Sequence, residues 1–145
     1  MFTPQRYATR DEMNRLAARL NLRNEENMHD WPLEVSDYAR LSEFCELYRS
    51  LPADDDLRFV LMELILFSLE EWLNVMPPVA QSREPFEARI EALLRRDFPF
   101  HLHTLNYWRL PGEKDEANVF SPTPMVRRVW ADGFRDEYQQ WLDDG

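Results

Sequence analysis

The histidines His101 and His103 are the first side chains here whose type can support metal binding or acid–base chemistry. Residues two apart share a face in a strand, but on a helix they point about 200° apart. A metal site needs three or four converging ligands, and Asp97 is the nearest further candidate in the sequence. The pair therefore predicts two histidines that pack or cap, with no metal bound between them.

Glu26 and His29 have the Glu-x-x-His spacing found in carboxylate-bridged di-iron bundles. Such bundles carry two of these motifs on helices, together with two further glutamates that face inward. This chain has one copy, in a polar stretch (residues 23–31) that predicts a loop. Glu63 and Glu70 can imitate the two glutamates, but the second motif is missing. We therefore expect no metal and no cofactor.

Glu63 and Glu70 stand out because they lie in residues 57–75, the most apolar run of the chain. At 100° per residue they share one narrow stripe with Asn74, and Glu71 lies at its margin. A carboxylate on a buried helix must reach water, pair with an arginine, or titrate with a raised pKa. The simplest interpretation is that the stripe faces solvent. Pairing with an arginine and a catalytic carboxylate remain as alternatives.

Two arginine pairs, Arg95-Arg96 and Arg127-Arg128, can supply such partners or bind an anion if the fold brings them together. Arg127 and Arg128 lie near a predicted helix start, where backbone amides favour anions. Arg95 and Arg96 lie near a predicted helix end, where positive charge offsets the helix dipole. The second position is a sufficient structural reason for that pair.

Nucleophilic catalysis finds no support in the sequence, and no catalytic residue is predicted. Cys45 lies on the apolar face of a predicted helix, where a buried core thiol is expected. With three glycines in the chain, a phosphate-binding loop is nearly excluded, and no nucleophile elbow or zinc-type cysteine pair is present.

The elements that would position these residues are all predicted to be helices. The central one, about 55–75, is preceded by three aspartates that supply an N-cap, and Pro77-Pro78 ends it. Periodicity and caps predict further helices at about 10–22, 31–50, 83–97 and 123–142, and Gly133 is expected to be able to bend or split the last one. Residues 79–82 are predicted to be a turn, residues 100–110 are ambiguous between helix and extended chain, and residues 111–122 are a polar loop. Thr9 and Thr123 are the predicted N-caps of the first and last helices.

Composition agrees with this assignment. Hydrophobic residues make up 44% of the 145 positions, which argues against disorder, and few glycines and β-branched residues argue against strands. We therefore predict an all-α fold, a single domain (1–145) with five or six helices bundled around the central apolar helix. The lone cysteine, the absence of a signal-peptide pattern and the charges within 57–75 predict a cytoplasmic protein that does not span a membrane.

The formal net charge of −10 is concentrated in one part of the chain. Residues 24–75 contain thirteen acidic residues and three arginines, which gives −10 for this segment alone. Such a field disfavours nucleic acid and steers a basic protein toward the acidic helices. Ordinary solubility explains the same charge without any partner.

These observations lead to three hypotheses about function. The first is a protein-binding module that occludes a basic partner, as immunity proteins and antitoxins of similar composition do, with contacts at Glu34, Asp37, Glu43 and Glu46. The second is a small helical enzyme or a ligand- or metal-binding protein, with a polar pocket between helices lined by Glu63, Glu70, His101 and His103. The third is a homodimer formed through the aromatic residues Trp108, Trp130 and Trp141.

Overall fold

The computed structural model describes residues 2–143, and within that range the chain is all-helical with no strand. The predicted all-α class is confirmed. Met1, Asp144 and Gly145, which the predicted domain includes, lie outside the described residues. The α-helices are α1 (Arg10–Leu20), α2 (Trp31–Glu34), α3 (Leu41–Ser50), α4 (Leu57–Val75), α5 (Pro78–Arg83), α6 (Phe86–Arg96), α7 (Leu102–Trp108), α8 (Thr123–Gly133) and α9 (Gln139–Asp143). Short 3₁₀ helices lie at Tyr38–Arg40, Phe98–His101, Glu116–Asn118 and Asp136–Tyr138.

The predicted capping box at the start of α1 is present. The Thr9 hydroxyl accepts a hydrogen bond from the backbone amide of Glu12, and the Glu12 carboxylate accepts one from the amide of Thr9. Two of the amides that a helix start leaves unpaired are thereby satisfied. Glu12 is also buried, with 6% of its surface exposed.

The predicted helix over residues 31–50 is divided into α2, a 3₁₀ turn and α3. Local side-chain bonding explains the break, because the Ser36 hydroxyl donates to the carbonyl of Leu33 and the Asp37 carboxylate accepts from the amide of Ala39. Short polar side chains that bond to nearby backbone favour turns and caps over helix interiors.

α4 follows its predicted bounds within two residues at each end. Its N-cap residue, Asp56, makes no side-chain cap bond, but the carboxylate of Asp55 accepts from the amide of Leu57 at 2.9 Å. α4 has neighbours on two sides: its backbone lies close to α1, α2 and α3, and its aromatic side chains reach α6 and α7. Trp72 packs against Phe86 with ring centroids 5.1 Å apart, and Phe67 packs against Trp108 at 4.9 Å.

The turn predicted at 79–82 is instead the short helix α5. Gln81 explains part of this difference, because its amide group donates to the carbonyls of Leu73 and Met76 at the end of α4. Those carbonyls have no intrahelical partner at a helix end. α5 therefore serves as a cap for α4.

The ambiguous stretch 100–110 is helical, as a 3₁₀ turn that runs into α7. The predicted N-cap Thr123 is instead the first residue of α8 and does not cap it. The Thr123 hydroxyl donates to the carbonyl of Trp108 at 2.8 Å and joins α8 to the end of α7. The helix predicted for 123–142 is split after Gly133, the residue expected to allow this, and resumes as a 3₁₀ turn and α9.

One connected hydrophobic core extends from Leu16 on α1 to Tyr138 near the C-terminus. Trp108 lies inside it with 2% of its surface exposed, so the homodimer hypothesis is wrong to assign this residue to an exposed interface. Trp130 and Trp141 are partly buried against the same core. Among residues 2–143, no helix combines the length and the apolar character needed to cross a bilayer.

Candidate functional site

A cavity of about 550 Å³ lies between the N-terminal segment, α1, α2, α4 and α7. Glu63 and His103, two of the four residues predicted to line an interhelical pocket, lie on its wall. Glu70 and His101 do not line it and have partners elsewhere, so the predicted set of four does not converge. We call this cavity, with its lining from residues 6–8, 13, 29–33, 63, 67, 103, 104 and 106–108, the Glu63 pocket.

Aromatic side chains form much of the wall of the Glu63 pocket. The rings of Phe67 and Trp108 pack edge to face, and the Trp31 indole is fixed by a 2.7 Å hydrogen bond from Nε1 to the carbonyl of Arg23. Tyr7 and Tyr107 complete the aromatic lining and are both exposed. A concave surface with aromatic walls and a few polar groups is typical of a site for an organic ligand.

Glu63 is the acidic group of this pocket. Its Oε1 atom is buried and has no hydrogen-bond partner among residues 2–143. Burial, and secondarily the nearby carboxylate of Glu12, raise the pKa of Glu63 to about 7. Near neutral pH the group is therefore present in both protonation states, and it can donate or accept a hydrogen bond. The prediction that the stripe of Glu63, Glu70 and Asn74 faces solvent is therefore wrong for Glu63, whose Oε1 atom is buried.

Glu12 is held near Glu63 by donors of its own. Its carboxylate accepts from the Gln5 side chain at 2.6 Å and from the amide of Thr9 at 2.9 Å. The capping box that starts α1 thus also fixes the second carboxylate beside the pocket. The same residue, Glu12, caps the helix and contributes to the raised pKa of Glu63.

His103 and Thr104 are polar residues of α7 that line the pocket. Burial, and then the charge of Arg6, lower the pKa of His103, so the imidazole is neutral at pH 7. The Thr104 hydroxyl is buried and has no partner within the described chain. Leaving a buried polar atom unpaired costs about 1–3 kcal/mol. Glu63 and Thr104 both line the pocket, and each has a buried side-chain oxygen without a partner in the described chain.

His101 lies in a separate buried network. Its Nε2 atom lies 2.7 Å from the Tyr48 hydroxyl, which donates to Asp97 Oδ2 at 2.6 Å. The Tyr48 hydroxyl has a single proton, and it donates this proton in the hydrogen bond to Asp97. His101 must therefore be the donor to Tyr48, so we assign the Nε2–H tautomer. Arg58 donates to the same Asp97 oxygen at 3.1 Å and lies over the Tyr48 ring. Burial lowers the pKa of His101 to about 3, so it stays neutral and has a structural role.

Glu70 and Glu71 have polar partners other than arginine. Glu70 accepts from the amide of Ser121 and from the Asn74 side chain, and Glu71 accepts from the Ser36 hydroxyl. No ion pair in residues 2–143 joins these carboxylates to an arginine. The predicted stripe is thus partly covered by the end of the 111–122 loop, and it fixes that loop to α4.

The arginine pairs are used in the packing of α6, α7 and α8. Arg95 and Arg128 both bind the Glu91 carboxylate, at 2.8 and 3.2 Å. Arg127 donates to three backbone carbonyls between residues 109 and 113 and pairs with Glu116. The fold brings Arg95 and Arg128 together around a carboxylate of the chain itself.

The residues predicted to contact a basic partner lie on and beside α2 and α3. Glu34, Glu43 and Glu46 are exposed, and Asp37 is half-buried. Glu43 pairs with Arg40 at 2.7 Å and Glu46 pairs with Arg49 at 3.3 Å, so part of their charge is compensated within the chain.

The other candidate sites have simple structural explanations. Glu26 and His29 lie in a non-helical segment, as predicted. The described residues contain no group of three or more histidines, cysteines, aspartates or glutamates placed to hold a metal ion. Cys45 is buried, and burial raises the pKa of its thiol to about 11. This agrees with the prediction of an unreactive core thiol.

Sequence reasoning missed Thr104, the aromatic wall and the Arg58–Asp97–Tyr48–His101 network. One signal for the network was present: Arg58 falls within an apolar run, and a buried guanidinium needs a partner. No pattern in the sequence identified that partner as Asp97, 39 residues away.

Comparison with protein-family models, with curated proteins and with solved structures found no match to this chain.

Proposed function

We propose that this protein binds a small organic molecule in the Glu63 pocket. The observation that supports this most directly is the buried Glu63 Oε1 atom, which has no partner among the described residues. A polar atom left unpaired without a ligand is a destabilising feature, whereas a bound donor would make it a strong, charge-assisted contact. Thr104 contributes a second unpaired polar atom to the same wall.

The dimensions and chemistry of the pocket support the same proposal. A volume of about 550 Å³ falls within the range typical of ligand sites, roughly 300–1,000 Å³. Aromatic rings supply apolar contact area, and the polar atoms are few enough to fix one orientation. We place this activity in the cytoplasm, because the buried lone thiol of Cys45 is compatible with a reducing compartment.

A methyl-NMR fragment screen tests the proposal, because Met13 lines the pocket and the chain has only six methionines. With ¹³C-methyl methionine, we expect a subset of drug-fragment-sized molecules to shift the Met13 signal. Ala8→Trp, which places a large ring in the lining, should abolish these shifts. Ala39→Trp, at an exposed position away from the pocket, is the matched control.

Two results would contradict pocket binding: no fragment shifts Met13 at millimolar concentration, or the fragments that do so bind Ala8→Trp and Ala39→Trp equally well. Thermal melting of both variants shows whether each remains folded.

Binding of a basic protein through α2 and α3 remains a second candidate. Leu33 supports it, because this large apolar side chain is 49% exposed beside the exposed Glu34. The intramolecular pairs at Glu43 and Glu46 reduce the expected electrostatic contribution. The test is the association rate with a captured partner, measured at several salt concentrations and after charge reversal at Glu34, Asp37, Glu43 and Glu46. If neither change alters the rate, this proposal is wrong.

A further inference from the structure

We propose that the ligand of the Glu63 pocket is an organic cation with a planar or aromatic body, whose amidinium- or ammonium-type N–H groups donate to Glu63 and Thr104. This inference rests on the proposed function and specifies the chemical class of the ligand. It starts from the unpaired atoms, since an ionised carboxylate is an acceptor only. A donor-rich group that reaches both Glu63 Oε1 and Thr104 Oγ1 would satisfy them together.

The charges around Glu63 favour a cation. Glu12 on α1 adds a second carboxylate, and it accepts its hydrogen bonds from neutral donors, namely the Gln5 side chain and the amide of Thr9. Across the pocket, His103 on α7 is neutral at pH 7 because its pKa is lowered. An anionic ligand would have to approach two carboxylates at once, which is unfavourable in a partly buried site.

The remaining charged and titratable groups of the pocket do not neutralise Glu63. The charge of Arg6 acts on His103, but its guanidinium donates to the backbone carbonyl of Trp141 at 2.9 Å, and the shift of the Glu63 pKa has no contribution from it. His29 and Asp30 lie at the exposed rim. A cationic ligand therefore supplies the positive charge that the described chain does not place beside Glu63.

The aromatic wall suits the body of such a ligand. Cations and planar cationic groups are attracted to the faces of aromatic rings, and the exposed rings of Tyr7 and Tyr107 line the pocket. The net charge of −10 also steers cations toward the protein and repels anions at low ionic strength.

Three isosteric probes of different charge test the assignment: benzamidine (cation), benzamide (neutral) and benzoate (anion). Titration calorimetry and Met13 methyl shifts are measured on the full chain at pH 7.5. We expect benzamidine to bind tightest and benzoate weakest. Glu63→Gln should weaken benzamidine binding roughly tenfold or more, and benzamide binding by much less. Glu71→Gln, on the same helix but outside the pocket, should leave both unchanged.

The pH dependence supplies an independent readout. Benzamidine stays protonated from pH 6 to 8, whereas Glu63, with a pKa of about 7, becomes ionised across this range. Benzamidine affinity should therefore rise with pH, benzamide affinity should not, and the rise should disappear in Glu63→Gln.

The cation assignment is overturned if benzamidine fails to bind, if it binds no tighter than benzamide, or if Glu63→Gln leaves its affinity unchanged. The proposed function fails on a different result, namely that no fragment of any charge shifts Met13. The two failures are thus distinguishable.

Discussion

Asp97 is the residue on which the buried polar network converges. Its carboxylate accepts from Tyr48, Arg58 and Arg96, and Arg58 is only 4% exposed. Replacing a buried ion pair by apolar residues is often tolerated, but removal of one partner leaves a buried charge without compensation. Arg58, the buried arginine of the apolar helix α4, therefore depends on one carboxylate outside that helix.

Asp97→Ala should lower the free energy of unfolding by about 3 kcal/mol or more, because Arg58 and Tyr48 both lose their acceptor. Arg96→Ala is the matched control, since it removes a half-exposed partner of the same carboxylate and should cost about 1 kcal/mol or less. Urea denaturation of both variants measures the difference. Equal losses would show that the Arg58 contact contributes no more than a surface pair.

Packing between elements determines which residue the last position of α8 can hold. The predicted helix over 123–142 breaks at Gly133, and an added Cβ there would lie 2.7 Å from the Phe98 ring. Phe98 is itself fixed between Trp130 and Tyr138, with ring centroids 5.7 and 5.9 Å away. Gly133 is therefore needed for the close approach of α8 to the 3₁₀ turn at 98–101.

Gly133→Ala should destabilise the protein by about 1–3 kcal/mol through overpacking, although alanine is the better helix former. Gly112→Ala is the control, because no atom lies within 4 Å of its added Cβ and its φ is not positive. It should change stability by less than about 0.5 kcal/mol. If the two variants unfold at the same urea concentration, the contact with Phe98 does not limit the packing.

Across the whole molecule, two buried groups give opposite pH dependences. The pKa of His101 is lowered from 6.5 to about 3, so below pH 6.5 the unfolded chain binds a proton that the native chain does not, and stability falls as pH falls. The pKa of Glu63 is raised from 4.5 to about 7, so stability falls as pH rises between those values. Between pH 4.5 and 6.5 the two effects oppose each other.

His101→Gln isolates one of them, because it keeps a donor for Tyr48 but cannot titrate in this range. The stability of the wild type should fall relative to that of the variant by up to about 1.4 kcal/mol per pH unit between pH 6 and 4.5. Urea unfolding at several pH values measures the two profiles. Parallel profiles would mean that His101 protonates in the native state.

Much of the fold was predictable because its signals are local. The capping box at Thr9, the apolar run of α4 and the proline stop at Pro77 each act through neighbouring residues, and each is found in the structure. Where the predicted features of the C-terminal helix differ from the structure, contacts between distant residues are involved. Thr123 looked like an N-cap, but its hydroxyl bonds to the end of α7. The close approach of Phe98 to Gly133 joins residues that are 35 apart in the sequence.

The candidate site was predictable only in part. Glu63 was identified because a carboxylate in an apolar run is conspicuous, and His103 because histidines are few. Their common pocket, the separation of His101 and Glu70 from it, and the contribution of Thr104 all depend on how α4, α7 and the N-terminal segment pack. Periodicity gives the face of a helix, but it does not give the rotation of one helix relative to another.

The sequence alone determined the helical class, the extent of α4 and the acidic charge, since these follow from composition, spacing and end signals along the chain. Only the tertiary structure decided which polar groups are buried without partners. That outcome depends on contacts between distant segments: the packing buries Glu63, Glu12 of the α1 capping box lies near it, and both effects raise the pKa of Glu63. The function proposed for this protein rests on that second kind of information.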